Sequence, residues 1–322
     1  MVLHNKIDKR ILKERIANDP TPRTTVSFYK YVHIEDPQAF RDHIYKHWDE
    51  LGCLGRIYVA TEGINAQMSV PTHNWESFDK MVQSDPFLTG TPYKIAVEDD
   101  GKSFYKLTIK VRHKILADGL DDATFKPWDT GKHLTAKEFN EAIENGAIVI
   151  DMRNHYESEV GHFEGAVKPD CDAFRDEIAM VEEYLQDKKE QKVLLYCTGG
   201  IRCEKASAYF KHKGFKDVNQ LQGGIISYAH QVEEEGLESK YIGKNFVFDE
   251  RLGERITCDV IAHCHQCGEP CDTHTNCENA DCHLLFIQCE NCAKEYEGCC
   301  SEECQEVIHL PEEEQRARRK GQ

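Results

Sequence analysis

One stretch limits this 322-residue chain more than any other: Tyr196-Cys197-Thr198-Gly199-Gly200-Ile201-Arg202-Cys203-Glu204-Lys205. Before it, Lys192-Val193-Leu194-Leu195-Tyr196 is an apolar run of strand length. After it, Ala206, Ala208, Tyr209 and Phe210 recur at helical spacing as far as Gly214. A cysteine is thereby delivered from a strand end into a glycine turn that opens a helix. In that geometry backbone N–H groups converge on the sulfur, and the helix N-terminus favours negative charge there. Arg202 adds a cation. These conditions lower a thiol's pKa and make a nucleophile. Cys197 and Arg202 are therefore the expected catalytic pair, and Thr198, Gly199, Gly200, Ile201 and Cys203 the loop that shapes the site. Cys203 reads either as a resolving thiol or as a packed core cysteine.

The surroundings of this loop alternate helix and strand from about Thr135 to Gly236. Helices are expected at 136–145, 174–185, 201–213 and 225–235, and strands at 147–151, 193–196 and 218–221. Short apolar strands alternating with helices imply a mostly parallel sheet covered on both faces, with its site at the strands' carboxyl ends.

Upstream, the chain reads as a separate α+β unit over residues 23–117. Strands are expected at 26–32, 54–60, 66–70, 93–97 and 103–115, with a turn at Glu62-Gly63-Ile64-Asn65. Helices are expected at 37–51 and 74–82. This βαββαβ order with one extra strand suggests a ferredoxin-like sandwich with one open sheet face. Along its last strand Lys106, Lys110, Arg112 and Lys114 share one face. That stripe suits a phosphate backbone, with Lys205 as a further cation near the loop. It suits a solvated sheet face equally well. Tyr58, Phe104, Tyr196 and Phe248 are aromatic candidates for base stacking or for the core. Residues 1–22 read as a loosely docked leader and 118–134 as a linker.

After a connector at 237–256 the composition changes. Eleven of the fifteen cysteines fall at or after Cys258. Cys264-x-x-Cys267 and Cys289-x-x-Cys292 are paired knuckles with the spacing of a tetrahedral thiolate zinc site. Cys271, Cys277, Cys282, Cys299, Cys300 and Cys304 offer a second set without a unique choice, and disulfides or free thiols are the rival reading. A charged tail is expected at 309–322. The start of the chain has no apolar secretion core, and no run reaches membrane-spanning length, so a cytoplasmic protein with reduced thiols is expected. A net charge of −17 disfavours indiscriminate nucleic-acid binding but leaves local basic patches open.

Cys197, Gly200 and Arg202 in the pattern Cys-x-x-Gly-x-Arg resemble the active loop of rhodanese-type sulfurtransferases. Asp151-Met152-Arg153, Glu157, Gly161-His162-Phe163-Glu164-Gly165-Ala166 and Leu221-Gln222-Gly223-Gly224 resemble the supporting signatures of that family. Thr198 stands where many rhodaneses carry a basic residue. Longer strings are more specific: residues 55–65, 197–206, 245–251 and 264–268 resemble the bacterial tRNA uridine hydroxylase family from about Thr24 to Cys304. The resemblance implies a ferredoxin-like domain, a rhodanese-like domain and a Cys-rich segment. It also implies oxygen-dependent hydroxylation of the wobble uridine in the tRNA anticodon loop to 5-hydroxyuridine, with Cys197 essential. Asp151, Arg153, Glu157 and His162 would support the loop. Molecular oxygen is the implied co-substrate, zinc a structural candidate, and no flavin or nicotinamide fingerprint is apparent. A sulfurtransferase carrying a persulfide on Cys197 is the competing function.

Overall fold

The computed structural model describes residues 7–120, 125–126 and 128–319. Among these no helix is long and apolar enough to cross a membrane. The described part of the leader is a helix, α1 (Lys9–Asn18), started by the Asp8 carboxylate accepting from the Arg10 N–H. Buried Leu12 and a 2.6 Å ion pair between Lys13 and Glu250 dock it on the body.

The N-terminal unit runs β1 (Arg23–Tyr31), α2 (Pro37–Glu50), β2 (Leu54–Ala60), β3 (Gly63–Pro71), α3 (Trp75–Ser84), β4 (Lys94–Ile95) and β5 (Leu107–Val111). Its sheet order is β4-β1-β3-β2-β5; the first four are antiparallel, and β5 adds parallel to β2. This is the expected ferredoxin-like order with an extra edge strand. Phe40, Ile44 and Trp48 of α2 pack with Phe28, Phe78 and Val26 on one sheet face. Alternation then sends Ser27 and Tyr29 to the opposite face.

Two local expectations change. The β2–β3 hairpin turns on two residues, Thr61 and Glu62, because Ala60 pairs with Gly63. Gly63 is required there: a Cβ would meet the Lys30 carbonyl oxygen at 2.0 Å. The last strand ends at Val111, so Lys114 leaves the basic stripe. Its ammonium turns inward to Asp118 at 2.6 Å and to the Leu120 carbonyl.

The central unit comprises β6 (Lys132–Leu134), α4 (Ala136–Glu144), β7 (Ile148–Asp151), α5 (His155–Glu159), β8 (Gly161–Phe163), α6 (Phe174–Leu185), β9 (Lys192–Tyr196), α7 (Ile201–His212), β10 (Asp217–Leu221) and α8 (Gly224–Glu235). Thr135 and Glu138 form a capping box at the start of α4. The four-stranded sheet, β6-β10-β9-β7, is parallel throughout. The stretch read as a linker thus supplies an edge strand, β6. The connector is likewise part of the body: β11 (Tyr241–Asn245) pairs antiparallel with β8 and with β12 (Glu254–Arg255). Glycine makes that pairing possible, since a Cβ at Gly161 would lie 2.3 Å from the Lys244 carbonyl oxygen. The Cys-rich segment follows with β13 (His274–Asn276), β14 (Leu285–Ile287), α9 (Glu290–Glu295) and α10 (Glu302–Ile308). In the stretch read as a charged tail, α11 spans Glu312–Arg319.

The first two units are fastened by buried charge. Lys205, expected to face RNA, is buried, with its ammonium on Asp118 and, at 2.7 Å, on Glu62 of the β2–β3 turn. The other Glu62 oxygen accepts from the Ile115 N–H. Lys205 is thus withdrawn from any RNA surface because two carboxylates already neutralise it. Lys205→Met should lower stability by about 1–3 kcal/mol, since it takes one of two ammonium partners from buried Asp118, which keeps Lys114, and the ammonium from Glu62. Denaturant unfolding checks this, and an unchanged midpoint would show that the three charges contribute no net stability.

Candidate active site

Cys197 leaves the carboxyl end of β9, and Gly200, in the left-handed region at φ 96°, turns the chain into α7. The Gly200 N–H donates to Cys197 Sγ at 3.1 Å. Cys197 is only 1% exposed. Burial pushes its pKa up, but the Cys203 S–H, the Arg202 charge and the Cys203 and Arg202 N–H groups outweigh it, bringing the pKa down to about 6. The thiolate is then the main form at neutral pH. Cys203 itself is held well above the thiol range, chiefly by burial and then by the hydrogen bond to Cys197. It therefore acts here as a neutral donor to its neighbour.

Arg202 meets Glu157 in a fork of 2.6 and 2.8 Å. Glu157 comes from α5, a short helix not foreseen from the sequence, and is fully buried. Its second oxygen also accepts from Thr198 Oγ1 at 3.3 Å. Arg202 consequently acts on the sulfur by charge, while both terminal nitrogens of its guanidinium are held by Glu157. The other supporting residues lie behind the loop. Arg153 clamps Asp151 through two bonds of 2.7 and 2.8 Å and reaches the Gly161 carbonyl, while Tyr196 donates to Asp151. His162 lies 2.8 Å from the Lys168 ammonium. The glycine pair at 223–224 seats α8 against the loop: the N–H groups of Ile225 and Ile226 donate to the carbonyls of Cys197 and Thr198. A Cβ at Gly224 would strike those two carbonyls at 2.5 and 2.6 Å.

Above the sulfur is a cavity of about 450 Å³. Cys197, Thr198, Gly199 and Arg202 form its floor, and Phe104, Val247, Phe248 and Arg251 line a wall. The opposite side is the non-core face of the N-terminal sheet, with Ser27, Tyr29, Asn65, Gln67 and Lys94. The face expected to be open is therefore half of the site. Of the aromatic candidates, Phe104 and Phe248 reach the cavity, Tyr196 is core, and Tyr58 lies outside, 5.7 Å from the Arg112 guanidinium. Of the expected stripe only Lys110 lies within β5; it and Arg112, just past the strand's end, are exposed, and Lys106, just before it, is half-buried.

Tyr29 and Lys94 were not singled out from the sequence, although a signal was present. Both alternate with apolar residues that face the core, so both had to lie on the open face. Glu177 was missed as well. Among the described residues it is buried without a hydrogen-bond partner, and burial, against the pull of Arg202, raises its pKa well above the carboxylate range. It is thus kept neutral near the thiolate.

In the C-terminal segment two groups of four thiols converge, Cys264/Cys267/Cys289/Cys292 and Cys277/Cys282/Cys300/Cys304. Within each group the sulfurs lie within 4.8 Å of one another. The first is the set expected from the knuckles. The second selects four of the six remaining candidates, leaving out Cys271 and Cys299.

Three family models match the chain in succession: the UPF0176 acylphosphatase like domain at residues 23–115, the rhodanese-like domain at 135–231 and the rhodanase C-terminal region at 242–305. A protein of Photorhabdus laumondii named tRNA uridine(34) hydroxylase is 56% identical over 322 residues, covering 99% of this chain and 92% of its own. A Leptospira interrogans protein of the same name is 57% identical over 320 residues, covering 99% and 87%. With such identity along nearly the whole length, and with the loop, its counter-charge and its glycine supports in place, the chain belongs to the family of tRNA uridine(34) hydroxylases.

Proposed function

We propose that the protein hydroxylates carbon 5 of uridine 34 in the tRNA anticodon loop, with Cys197 as a covalent nucleophile and molecular oxygen as co-substrate. The observation that carries this reading is a cysteine whose pKa the loop draws down to about 6, lining a cavity of about 450 Å³, within the range of small-ligand sites. The wobble base is unpaired in its loop, so it can be turned outward at low cost. Asn65 and Gln67 offer amides to the pyrimidine edge, and Phe104 and Phe248 offer apolar contact.

Carbon 5 of uracil is inert toward oxygen until a nucleophile adds at C6. The Sγ–C6 bond forms as the C5=C6 π pair moves onto C5 and O4. The C5 carbanion takes up oxygen and a proton to give a C5 hydroperoxide. Two electrons and two protons from a thiol-class reductant cleave its O–O bond, leaving a C5 hydroxyl and releasing water. Loss of the C5 proton then expels the Cys197 thiolate and restores the double bond. A persulfide on Cys197 is the rival role, and it requires no oxygen.

The exposed cations Lys110 of β5 and Arg112 just past its end, with Lys106 just before it, are suited to the tRNA backbone. The two thiolate groups fit zinc. Sulfur pairs such as Cys267–Cys289 at 3.7 Å and Cys282–Cys300 at 3.6 Å match the edge of a tetrahedron with Zn–S bonds of about 2.3 Å. Such ions would brace the segment that packs against Phe246 beside the cavity wall. A reduced cytoplasm, where tRNA is found, completes this reading.

Three outcomes are expected. RNA carrying 5-fluorouridine at position 34 should leave a covalent mass on Cys197, and Cys197→Ser should abolish both the adduct and hydroxylation; an active Cys197→Ser variant argues against the nucleophile. Neutralising Lys110 and Arg112 together should weaken tRNA binding and reduce the log–log salt slope by about 2, whereas an unchanged slope removes the stripe from the interface. Metal analysis should find zinc in both thiolate groups, with Cys282→Ala losing the second ion only; a metal-free, fully folded protein would exclude a structural ion.

A further inference from the structure

Addition of a thiolate at C6 sends negative charge to the far side of the uracil ring, and that charge needs a partner. In the loop, three N–H donors and both terminal nitrogens of the arginine are already committed. The N–H groups of Gly200, Arg202 and Cys203 point at the sulfur, and the two terminal nitrogens of Arg202 are held by Glu157.

Lys94 lies on the other side of the cavity. It belongs to β4 of the N-terminal sheet, paired in register with Ser27, and the next residue's carbonyl meets His230 of α8 at 3.0 Å. Its side chain reaches over the active loop: a Cβ at Gly199 would lie 3.8 Å from its Cδ, and one at Gly223 3.9 Å from its Cε. The ammonium sits 4.2 Å from the Tyr29 ring centroid, and among the described residues it has no hydrogen-bond or ion-pair acceptor. Lys94 is only 6% exposed and lines the same cavity as Cys197. A buried cation without an acceptor is costly for folding and well placed for an anion that forms during reaction.

We propose that Lys94 is a catalytic residue supplied across the domain interface, donating a hydrogen bond to the uracil carbonyl oxygen that becomes anionic when Cys197 adds to C6. The inference rests on the covalent reading above. As the Sγ–C6 bond forms and the π pair shifts toward O4, the Nζ–H holds the new charge. When the pair returns to C5 the hydrogen bond relaxes, and Lys94 keeps its proton. The groups that face the ammonium are Tyr29 from β1, Glu204 from α7 and Cys197 from the loop. Burial draws the Lys94 pKa down to about 8, with the Cys197 and Glu204 charges opposing the fall. Tyr29 is held neutral, mainly by burial. Thiolate and ammonium therefore coexist between about pH 6 and about pH 8.

The test is anaerobic tritium release from full-length tRNA bearing [5-³H]uridine at position 34. Reversible addition lets C5 take a solvent proton and shed tritium without oxygen or reductant. Wild-type protein should release tritium with a rate that rises through about pH 6 and falls through about pH 8. Lys94→Met should slow release and aerobic hydroxylation alike by about 10²–10³-fold, with tRNA affinity and unfolding midpoint retained. Lys94→Arg should recover part of the rate and lose the alkaline fall. Release by Lys94→Met within about threefold of wild type overturns the role of Lys94 and leaves addition by Cys197 standing. No release from wild type that hydroxylates in air overturns covalent addition and the lysine's role together. Equal loss of tRNA binding in Lys94→Met and Lys94→Arg assigns the lysine to architecture and overturns the proposal.

Discussion

A buried thiolate is an unstable thing to build, and the central unit is arranged around making one. Burial alone would hold Cys197 protonated; the convergent N–H groups of the loop, the Cys203 S–H and the Arg202 charge reverse that. Arg202 would itself be an unpaired buried cation without Glu157, and Glu157 an unpaired buried anion without Arg202. Thiolate, guanidinium and carboxylate sum to a single negative charge. Glu177 adds none while burial keeps it neutral, and the Lys94 ammonium across the cavity balances the sum. Each charge is tolerable only because of the next.

The same logic explains why the site needs two units. The rhodanese-type loop makes the sulfur reactive but turns its donors inward, so groups facing a substrate have to come from elsewhere. The N-terminal sheet supplies them by simple alternation. Val26 and Phe28 fill its core, which puts Ser27 and Tyr29 on the opposite face, with Lys94 beside them on β4. That face is held in place by Lys205 with Glu62 and Asp118, and by the Tyr29 hydroxyl donating to Glu204 at 2.9 Å. Burying Lys205 removes a cation from solvent and gains a fixed spacing between sheet and loop.

The active loop was legible because its chemistry is local: strand, glycine turn and helix follow one another, and Cys197 and Arg202 are five residues apart. The ferredoxin-like order was legible for a similar reason, since periodicity is a local property. Partners distant in sequence were not. Glu157 was marked through the family resemblance, but its fork with Arg202 spans 45 residues, and the α5 helix that carries it is too short to show a period. Lys205 looked like an RNA contact because its two carboxylates lie 87 and 143 residues away. Lys114 looked like part of a stripe because strand alternation does not reveal where a strand stops. The edge strand β6 and the strand β11 escaped because each takes a partner from a remote segment.

The cavity also bears on the choice between covalent addition and sulfur transfer. A persulfide carried by this loop would need a donor to approach the sulfur, and donors such as thiosulfate are anionic. Thr198 brings no cation at the position that receives such donors in the families it resembles, and the hydroxyl instead points to Glu157. Of the other cations lining the cavity, Arg202 is committed to Glu157 and Arg251 to Asp249 and Glu254, while exposed Arg175 at the rim meets Asp176 at 3.7 Å. What shares the cavity with the sulfur is a set of amides, aromatic rings and an ammonium that has no acceptor among the described residues. Such a surface is poor at gathering a small anion from solution, and good at meeting a planar ring that arrives neutral and becomes charged only after the sulfur has bonded to it.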